Sequence, residues 1–179
     1  NVRMNKHVET ILETGQLENK DLELNKQPVN VHDLIQAVVD SYKLQLEEKP
    51  SNIHMQLDAT KPEITADEEH LLHVLSNLMD NAIKYSLFIP SITIATESRK
   101  GELLISVTDQ GIGMAKDVLG SVFEPFYRVP TGNVHNVKGF GLGLSYVKKI
   151  VEAHGGQVSV KSKLGEGSTF EISLPYGNE

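Results

Sequence analysis

The sequence has no cysteine among its 179 residues. This absence excludes disulfides, thiolate nucleophiles and cysteine-ligated zinc, and it agrees with a reducing cytoplasm. The sequence also lacks any apolar run near the length of about 18 residues that a membrane-spanning helix needs. Its first residues lead into no apolar, signal-like stretch. We therefore expect a cytoplasmic chain that is not itself inserted in a membrane.

Basic residues are also in the minority. There are 17 Lys and Arg against 24 Asp and Glu, which gives a formal net charge of -7. A dense basic surface, which binding to a phosphate backbone requires, is therefore not expected, and nucleic acid is excluded as the expected ligand. Hydrophobic residues make up 39% of the sequence, enough for one substantial core. We expect one domain with a short appendage.

The appendage is predicted at the start of the chain. Met4, Val8, Ile11 and Gly15 recur at alternating steps of four and three residues, which is typical of a helix that packs on another helix. A polar run over residues 18–26 follows and indicates a helix end and a linker. The predicted domain boundary lies near Gln27, with residues 1–27 as the appendage and residues 28–179 as the main domain.

The main domain alternates predicted helices and strands. A helix capped by Asn30 is followed by a strand, and the pattern Thr65-Ala66-Asp67-Glu68 predicts a capping box that opens a second helix. Helices are predicted over 31–46, 67–85 and 142–153, and strands over 53–57, 91–97, 102–108, 157–163 and 168–174. Strands on one side and three helices that each bury one face predict an α+β fold, a two-layer sandwich.

The helix over 67–85 carries two stripes at helical spacing. The apolar stripe that predicts its core face consists of Leu71, Leu75, Leu78 and Ala82. A polar stripe with Asn77, Asn81, Lys84 and, at its edge, Tyr85 lies roughly a quarter turn away. Such a stripe can line a cleft beside the core, or it can be an ordinary solvated face.

A second candidate site is Asp109-Gln110-Gly111-Ile112-Gly113, where a predicted strand enters an irregular region. A carboxylate at a strand end can accept a hydrogen bond from a ligand, and the two glycines let the backbone approach that ligand closely. The alternative is an ordinary Asp-Gly turn.

A third candidate site is the glycine-rich run Lys138-Gly139-Phe140-Gly141-Leu142-Gly143, which meets the start of a helix. Its N–H groups and the positive end of the helix suit an anion such as phosphate. The run is neither a P-loop nor a dinucleotide fingerprint, because the Gly-Lys-Ser/Thr ending and the G-x-G-x-x-G spacing are both missing. A flexible hinge is the alternative.

Taken together and in this order, these sites resemble the ATP-binding domain of sensor histidine kinases, over about residues 30–174. Residues 77–85 resemble the N box of that family, 109–113 its G1 box, 123–128 its F box and 139–144 its G2 box. The resemblance implies the Bergerat ATP-binding fold, with a mixed, mostly antiparallel sheet packed on three helices and preceded by one N-terminal helix.

The resemblance also implies roles for individual residues. Asp109 would read the adenine amino group, Tyr85 would lie against the base, Asn81 would hold Mg²⁺, and Lys84 would touch the phosphates. Residues 139–143 would wrap the phosphates, 129–138 would form a mobile lid, and Arg128 would be a weaker candidate for the γ-phosphate. The implied nucleotide-binding set is Asn77, Asn81, Lys84, Tyr85, Asp109, Gly111, Gly113, Phe126, Arg128, Lys138, Gly139, Gly141, Leu142, Gly143 and Thr169, with Asn77 and Arg128 also implied as catalytic.

Asn77 bears on the type of reaction. Relatives that hydrolyse ATP, resembling gyrase, the mismatch-repair ATPases and the Hsp90 chaperones, carry a glutamate four residues before the Mg²⁺-binding asparagine. Asn77 occupies that position here. An amide cannot deprotonate water as a carboxylate can, so the sequence favours phosphoryl transfer to an external nucleophile over hydrolysis.

The histidine that the family phosphorylates is expected outside this sequence, because His7 is not followed by the family's His-Glu-x-x-x-Pro pattern. By resemblance, residues 1–27 are the C-terminal part of the hairpin through which such kinases form homodimers, and they contain the end of its second helix only. The resemblance further implies relay to a response-regulator aspartate, and a cytoplasmic domain of a membrane-anchored sensor. An ATPase, a Ser/Thr kinase resembling anti-sigma kinases, and a module without catalysis are the alternatives.

Other residues have simpler interpretations. His70 and His73 are three apart on a helix, but a zinc site is not expected without cysteines or a third ligand. Phe123 and Phe126 are either core anchors or nucleotide contacts. His154 is predicted to be a surface or capping residue.

Overall fold

The computed structural model of the protein describes residues 22–46, 50–129 and 140–177. Within these ranges the chain alternates strands with three α-helices and one short 3₁₀ turn. The elements are β1 (Gln27–Asn30), α1 (Val31–Gln45), β2 (Asn52–Leu57), β3 (Glu63–Ala66), α2 (Glu68–Lys84), β4 (Ser91–Arg99), β5 (Glu102–Asp109), the 3₁₀ turn (Lys116–Val118), α3 (Gly143–Ala153), β6 (Gln157–Lys163) and β7 (Gly167–Pro175).

The main sheet has five strands in the order β2-β4-β5-β7-β6. The β2–β4 pair is parallel, whereas β4–β5, β5–β7 and β6–β7 are antiparallel. The predicted mixed, mostly antiparallel sheet is therefore confirmed, as are both predicted hairpins. The sequence patterns missed β1 and β3, which pair antiparallel as a separate two-stranded sheet. Each of these strands has only four residues, too few for a clear alternation.

The helices and the sheet enclose one hydrophobic core. All four residues of the predicted apolar stripe on α2 are buried. They pack with side chains from α1, α3 and the strands, among them Ile35, Ile94, Ile105 and Ile150, each no more than 3% exposed. The two-layer α/β architecture expected from the sequence is thus confirmed.

The helix starts agree only in part with the sequence patterns. Asn30 caps α1 as predicted, because its side chain accepts hydrogen bonds from the N–H groups of His32 and Asp33. The predicted capping box beginning at Thr65 is wrong. Thr65 lies in β3, and α2 is capped instead by Asp67, whose side chain accepts a hydrogen bond from the His70 N–H group. The pairing of β3 with β1 extends the strand through the position that the local pattern assigns to the cap.

His154 is a capping residue but not a surface residue, being only 6% exposed. Its Nε2 accepts a hydrogen bond from the Asp67 N–H group at 2.9 Å, and its Nδ1 donates one to the Ile150 carbonyl at 2.8 Å. The neutral imidazole satisfies both contacts, whereas a protonated ring would have no acceptor for Asp67. His154 therefore joins the end of α3 to the start of α2.

This arrangement predicts a loss of stability in mild acid. Burial lowers the pKa of His154 below its ordinary value of 6.5, so the unfolded chain binds more protons just below that pH. The stability that His154 contributes is present above pH 6.5 and is lost as the pH falls through the folded-state pKa. We expect the free energy of unfolding in urea to fall from about pH 7 to about pH 5, and to fall less in His154→Gln. The variant His54→Gln, at an exposed position, should keep the wild-type slope; an unchanged slope in His154→Gln would contradict the assignment.

Two sequence predictions lie outside the described residues. They are the N-terminal helix with its seam of Met4, Val8, Ile11 and Gly15, and nearly all of the lid, since residues 1–21 and 130–139 are not described. The division into residues 1–27 and 28–179 stays a prediction, although β1 begins at Gln27. No helix within the described ranges is both long enough and apolar enough to cross a membrane.

Candidate nucleotide-binding site

The polar stripe of α2 lies between two loops, because Gly111 packs against the Tyr85 carbonyl and Gly143 packs against the Asn77 side chain. We call the region bordered by the stripe and these two loops the cleft. Asn77, Asn81, Lys84 and Tyr85 are all half-buried, whereas a solvated helix face would leave such side chains exposed. The amide nitrogen of Asn77 donates a hydrogen bond to the carbonyl of His73 at 2.9 Å. The side chain of Asn81 forms no hydrogen bond with any described residue, so its amide is available to a ligand.

The electrostatic environment of Lys84, near the C-terminal end of this stripe, includes a second cation. Burial lowers the pKa of Lys84, and the nearby Arg128 guanidinium lowers it further, while Asp80 acts in the opposite direction. The Lys84 ammonium also lies over the ring of Tyr85, 4.9 Å from its centroid. Lys84 therefore lies among charges of both signs, and the two positive side chains favour the approach of an anion such as phosphate.

Asp109 ends β5 beside this cleft and is only 7% exposed. Its Oδ1 accepts a hydrogen bond from the Gly111 N–H group at 2.8 Å. Burial raises the pKa of its carboxyl, and hydrogen bonds from the N–H groups of Gly111 and Ser168 partly offset that rise. A buried carboxylate that is held by backbone N–H groups can also accept a hydrogen bond from a neutral donor such as an exocyclic amine.

The glycines after Asp109 let the loop pack against its neighbours. A Cβ atom on Gly111 would lie 2.6 Å from the carbonyl oxygen of Tyr85, and one on Gly113 would lie 1.9 Å from the carbonyl oxygen of Lys163. The Ile112 N–H group donates to that same Tyr85 carbonyl at 3.1 Å. This loop therefore packs between the end of α2 and the β6–β7 turn. An ordinary Asp-Gly turn would not need contacts with two other elements.

The described part of the third candidate site, residues 140–143, lies against the polar stripe of α2 at Asn77. The Gly141 carbonyl accepts a hydrogen bond from the Phe126 N–H group at 2.9 Å, and both residues have positive φ angles, 75° and 64°. A Cβ atom on Gly143 would lie 2.7 Å from Oδ1 of Asn77. Leu142 is 5% exposed and anchors the start of α3. Lys138 and Gly139 lie outside the described residues.

The two phenylalanines have different roles. Phe123 packs edge-on against Phe170, with 6.3 Å between ring centroids, and it lies against the core. Phe126 is 68% exposed, so it is not a core anchor. The hydroxyl of Thr169 lies 3.0 Å from that of Thr108, next to Asp109 along β5.

Sequence reasoning missed two residues of the site, Gly167 and Ser168. Ser168 lies opposite Asp109 in the β5–β7 register and donates its N–H group to the carboxylate. Gly167 lies directly against the Asp109 backbone, where a Cβ atom would be 2.0 Å from the carbonyl oxygen. The Gly-Glu-Gly-Ser sequence marks a turn, but its contact with Asp109 depends on the pairing of β5 with β7.

His70 is engaged within the fold. Its Nδ1 lies 2.8 Å from the hydroxyl oxygen of Tyr146, which is 1% exposed. The ring of His73 lies 6.4 Å from the ring of the same tyrosine. Within the described residues no cluster of three or more His, Cys, Asp or Glu side chains could hold a metal ion.

Known proteins share both the sequence and the fold. The family described as histidine kinase-, DNA gyrase B-, and HSP90-like ATPase matches residues 66–178. The chain is 41% identical over 175 residues to sensor protein RprX of Bacteroides fragilis (strain YCH46), covering 97% of this chain and 34% of that protein. It is 34% identical over 173 residues to adaptive-response sensory kinase SasA of Synechocystis sp. (strain ATCC 27184 / PCC 6803 / Kazusa), covering 96% and 45%. The chain therefore spans less than half the length of these relatives.

Solved structures agree. Full-length ShkA in complex with AMPPNP matches with a TM-score of 0.86 at 28% identity, over 99% of this chain and 36% of that one. Histidine kinase ThkA in complex with response regulator protein TrrA shares the fold, with a TM-score of 0.78 at 23% identity over 98% and 49% of the two chains. The chain belongs to the histidine kinase-, DNA gyrase B- and HSP90-like ATPase family, as a catalytic ATP-binding domain of the sensor histidine kinase type.

Proposed function

We propose that the chain binds ATP with Mg²⁺ and transfers the γ-phosphoryl group to a histidine on a dimerisation helix of its full-length protein. The observation that carries this proposal is that the polar stripe of α2, the buried Asp109 and the glycines of both loops meet at one cleft. The relatives named above as a sensor protein and a sensory kinase support it.

The base and the phosphates would occupy opposite parts of the cleft. Asp109 would accept a hydrogen bond from the adenine amino group, with Tyr85 against the base and Thr169 near Asp109. Lys84 and Arg128 would neutralise phosphate charge, because both carry a positive charge near the C-terminal end of the stripe. The loop with Lys138, Gly139, Gly141, Leu142 and Gly143 would surround the phosphates with N–H groups at the start of α3.

Asn81 fits the role of magnesium ligand. Its half-buried side chain belongs to the polar stripe of α2 by helical spacing and offers a neutral oxygen, a hard ligand suited to a hard cation. Asn81 would hold the ion, whose positive charge would help to offset the negative charge of the phosphates.

Asn77 is unsuited to activate water. Its amide nitrogen donates to His73, and its Oδ1 lies against Gly143 at the start of α3. Asn77 would therefore position the glycine loop and the phosphates, while an external histidine supplies the nucleophile. In the complete protein we propose a homodimer formed by the dimerisation helices, relay to a response-regulator receiver domain, and a cytoplasmic position in a membrane-anchored sensor.

Radiolabelled ATP tests the reaction. We expect calorimetry to detect ATP·Mg²⁺ binding, and label to reach a separately supplied dimerisation hairpin of a relative, with its histidine, as an acid-labile phosphate. Asn81→Ala or chelation of Mg²⁺ should reduce this labelling by about 100-fold or more. Without an acceptor, phosphate release should be very slow. A turnover every few seconds under those conditions would instead identify an ATPase, and an absence of binding heat would identify a module that has lost its nucleotide.

A further inference from the structure

The segment Leu22–Lys26, called the linker segment below, lies against the ATP-binding domain although it forms no helix or strand. The Asn25 N–H group donates to Oδ2 of Asp67 at 2.8 Å. Leu22 packs on the edge of the core, and the Lys26 ammonium reaches the Ala153 carbonyl at the end of α3, at 3.5 Å. The contacts are few, and the hydrogen bond to Asp67 is the shortest of them.

Asp67 divides its two carboxylate oxygens between two elements. Oδ1 accepts from the His70 N–H group at 3.1 Å and caps α2, while Oδ2 accepts from Asn25. The side chain is only 7% exposed. Burial on its own raises the pKa of Asp67, but the hydrogen bonds from the His70 and Asn25 N–H groups, together with the nearby imidazoles of His70 and His154, leave the pKa lowered. The fold therefore keeps a buried carboxylate charged partly through its contact with the linker segment.

The same position is tied to α3. The Asp67 N–H group donates to His154, the residue that ends α3. At its other end α3 begins at Gly143, against the side chain of Asn77 in the nucleotide cleft. With 11 residues the helix is about 16 Å long. One rigid element therefore joins the linker segment to the glycine loop.

We propose that the hydrogen bond from Asn25 to Asp67 holds the linker segment reversibly on the ATP-binding domain. Nucleotide binding would strengthen this contact through α3. A single hydrogen bond to a charged group shifts an equilibrium by roughly 10- to 100-fold, which is enough to hold the linker segment and small enough to release it. This contact would thus control how freely the ATP site moves relative to the residues before it. Docking of the linker segment goes beyond the proposed function. Its strengthening by nucleotide, called tightening below, rests on the proposed function, because it requires that ATP binds.

Asp67→Asn separates docking from capping. Asparagine caps helices as well as aspartate does, so its oxygen can keep the bond to His70, but its NH₂ group cannot accept from Asn25. In the nucleotide-free chain we expect exchange of the Asn25 amide proton, followed by NMR, and tryptic cleavage after Lys26 to accelerate by roughly 10- to 100-fold. Asp33→Asn, which removes an exposed carboxylate from the first turn of α1, should leave both rates unchanged.

Three results decide the proposal. An Asp67→Asn variant that melts like the wild type, yet exchanges Asn25 at the wild-type rate, would overturn docking. In the wild type, ATP·Mg²⁺ should slow Asn25 exchange several-fold, and the effect should be absent in Asp67→Asn; unchanged exchange at saturating nucleotide would overturn tightening. Calorimetry on the same samples separates these outcomes from a failure of ATP binding itself. Such a failure would contradict the proposed function, but the comparison of the nucleotide-free proteins would still test docking.

Discussion

Asp109→Asn is expected to weaken ATP binding by roughly 10- to 100-fold, the value of a hydrogen bond to a charged group. The carboxylate is buried at the end of β5, where the N–H groups of Gly111 and Ser168 hold it in place. An asparagine has the same shape, but its side chain carries a donor where the adenine amino group would also present a donor. The variant should therefore lose affinity for ATP while keeping the fold.

Titration calorimetry measures this effect directly. Asp117→Asn, an exposed carboxylate in the 3₁₀ turn eight positions further along the chain, provides a matched control and should bind ATP as the wild type does. Because burial raises the pKa of Asp109, wild-type affinity should also decline in acid at a higher pH than an ordinary aspartate would predict, and the variant should lack that decline. Equal affinities of Asp109→Asn and the wild type would remove Asp109 from the base-binding site.

The helical part of the site could be predicted because it is local. A helix fixes the angle between residues, so the spacing of Asn77, Asn81 and Lys84 places them on one face without knowledge of the partner elements. The same holds for the apolar stripe, which is buried as expected. Which ligand the face binds came from resemblance, since spacing alone could not separate a cleft from a solvated surface. The half-burial of these residues now favours the cleft.

The features that sequence patterns missed depend on contacts between distant segments. The short strands β1 and β3 exist because they pair with each other over a long stretch of chain: 38 residues lie between Gln27 and its partner Ala66. That pairing moves the α2 cap to Asp67. The local sequence of His154, next to a pair of glycines, is typical of a surface histidine. Its burial depends on a contact with Asp67, which is 87 residues away in sequence. No local periodicity encodes such contacts.

Gly167 shows how such a contact supports the site. It is opposite Lys163 in the β6–β7 register, it has a φ angle of 100°, and a Cβ atom there would lie 2.0 Å from the Asp109 carbonyl. Gly113 approaches the Lys163 carbonyl in a corresponding way, at 1.9 Å. The β6–β7 turn and the loop after Asp109 therefore press backbone against backbone, and neither can shift without moving the carboxylate.

Gly167→Ala is expected to lower the free energy of unfolding by about 3 kcal/mol or more, because it adds a clash with the backbone to the strain of a positive φ angle. Gly165→Ala separates the two causes: its φ angle of 79° is also positive, but no atom lies within 4 Å of the added carbon. That variant should lose only about 1–2 kcal/mol. Gly120→Ala, with open space and no positive φ angle, should change stability by less than about 1 kcal/mol.

Urea unfolding of the three variants measures their free energies of unfolding. Titration of each variant with ATP then shows whether a loss of stability is accompanied by a loss of nucleotide affinity. Since the added carbon in Gly167→Ala displaces the Asp109 backbone, that variant should lose ATP affinity under conditions in which it is still folded, whereas Gly165→Ala and Gly120→Ala should retain it. Equal losses of stability in Gly167→Ala and Gly165→Ala would mean that the turn relaxes away from Asp109 at little cost. The carboxylate would then be held by β5 and the Gly111 N–H group alone, and the contact between the two loops would contribute nothing to nucleotide binding.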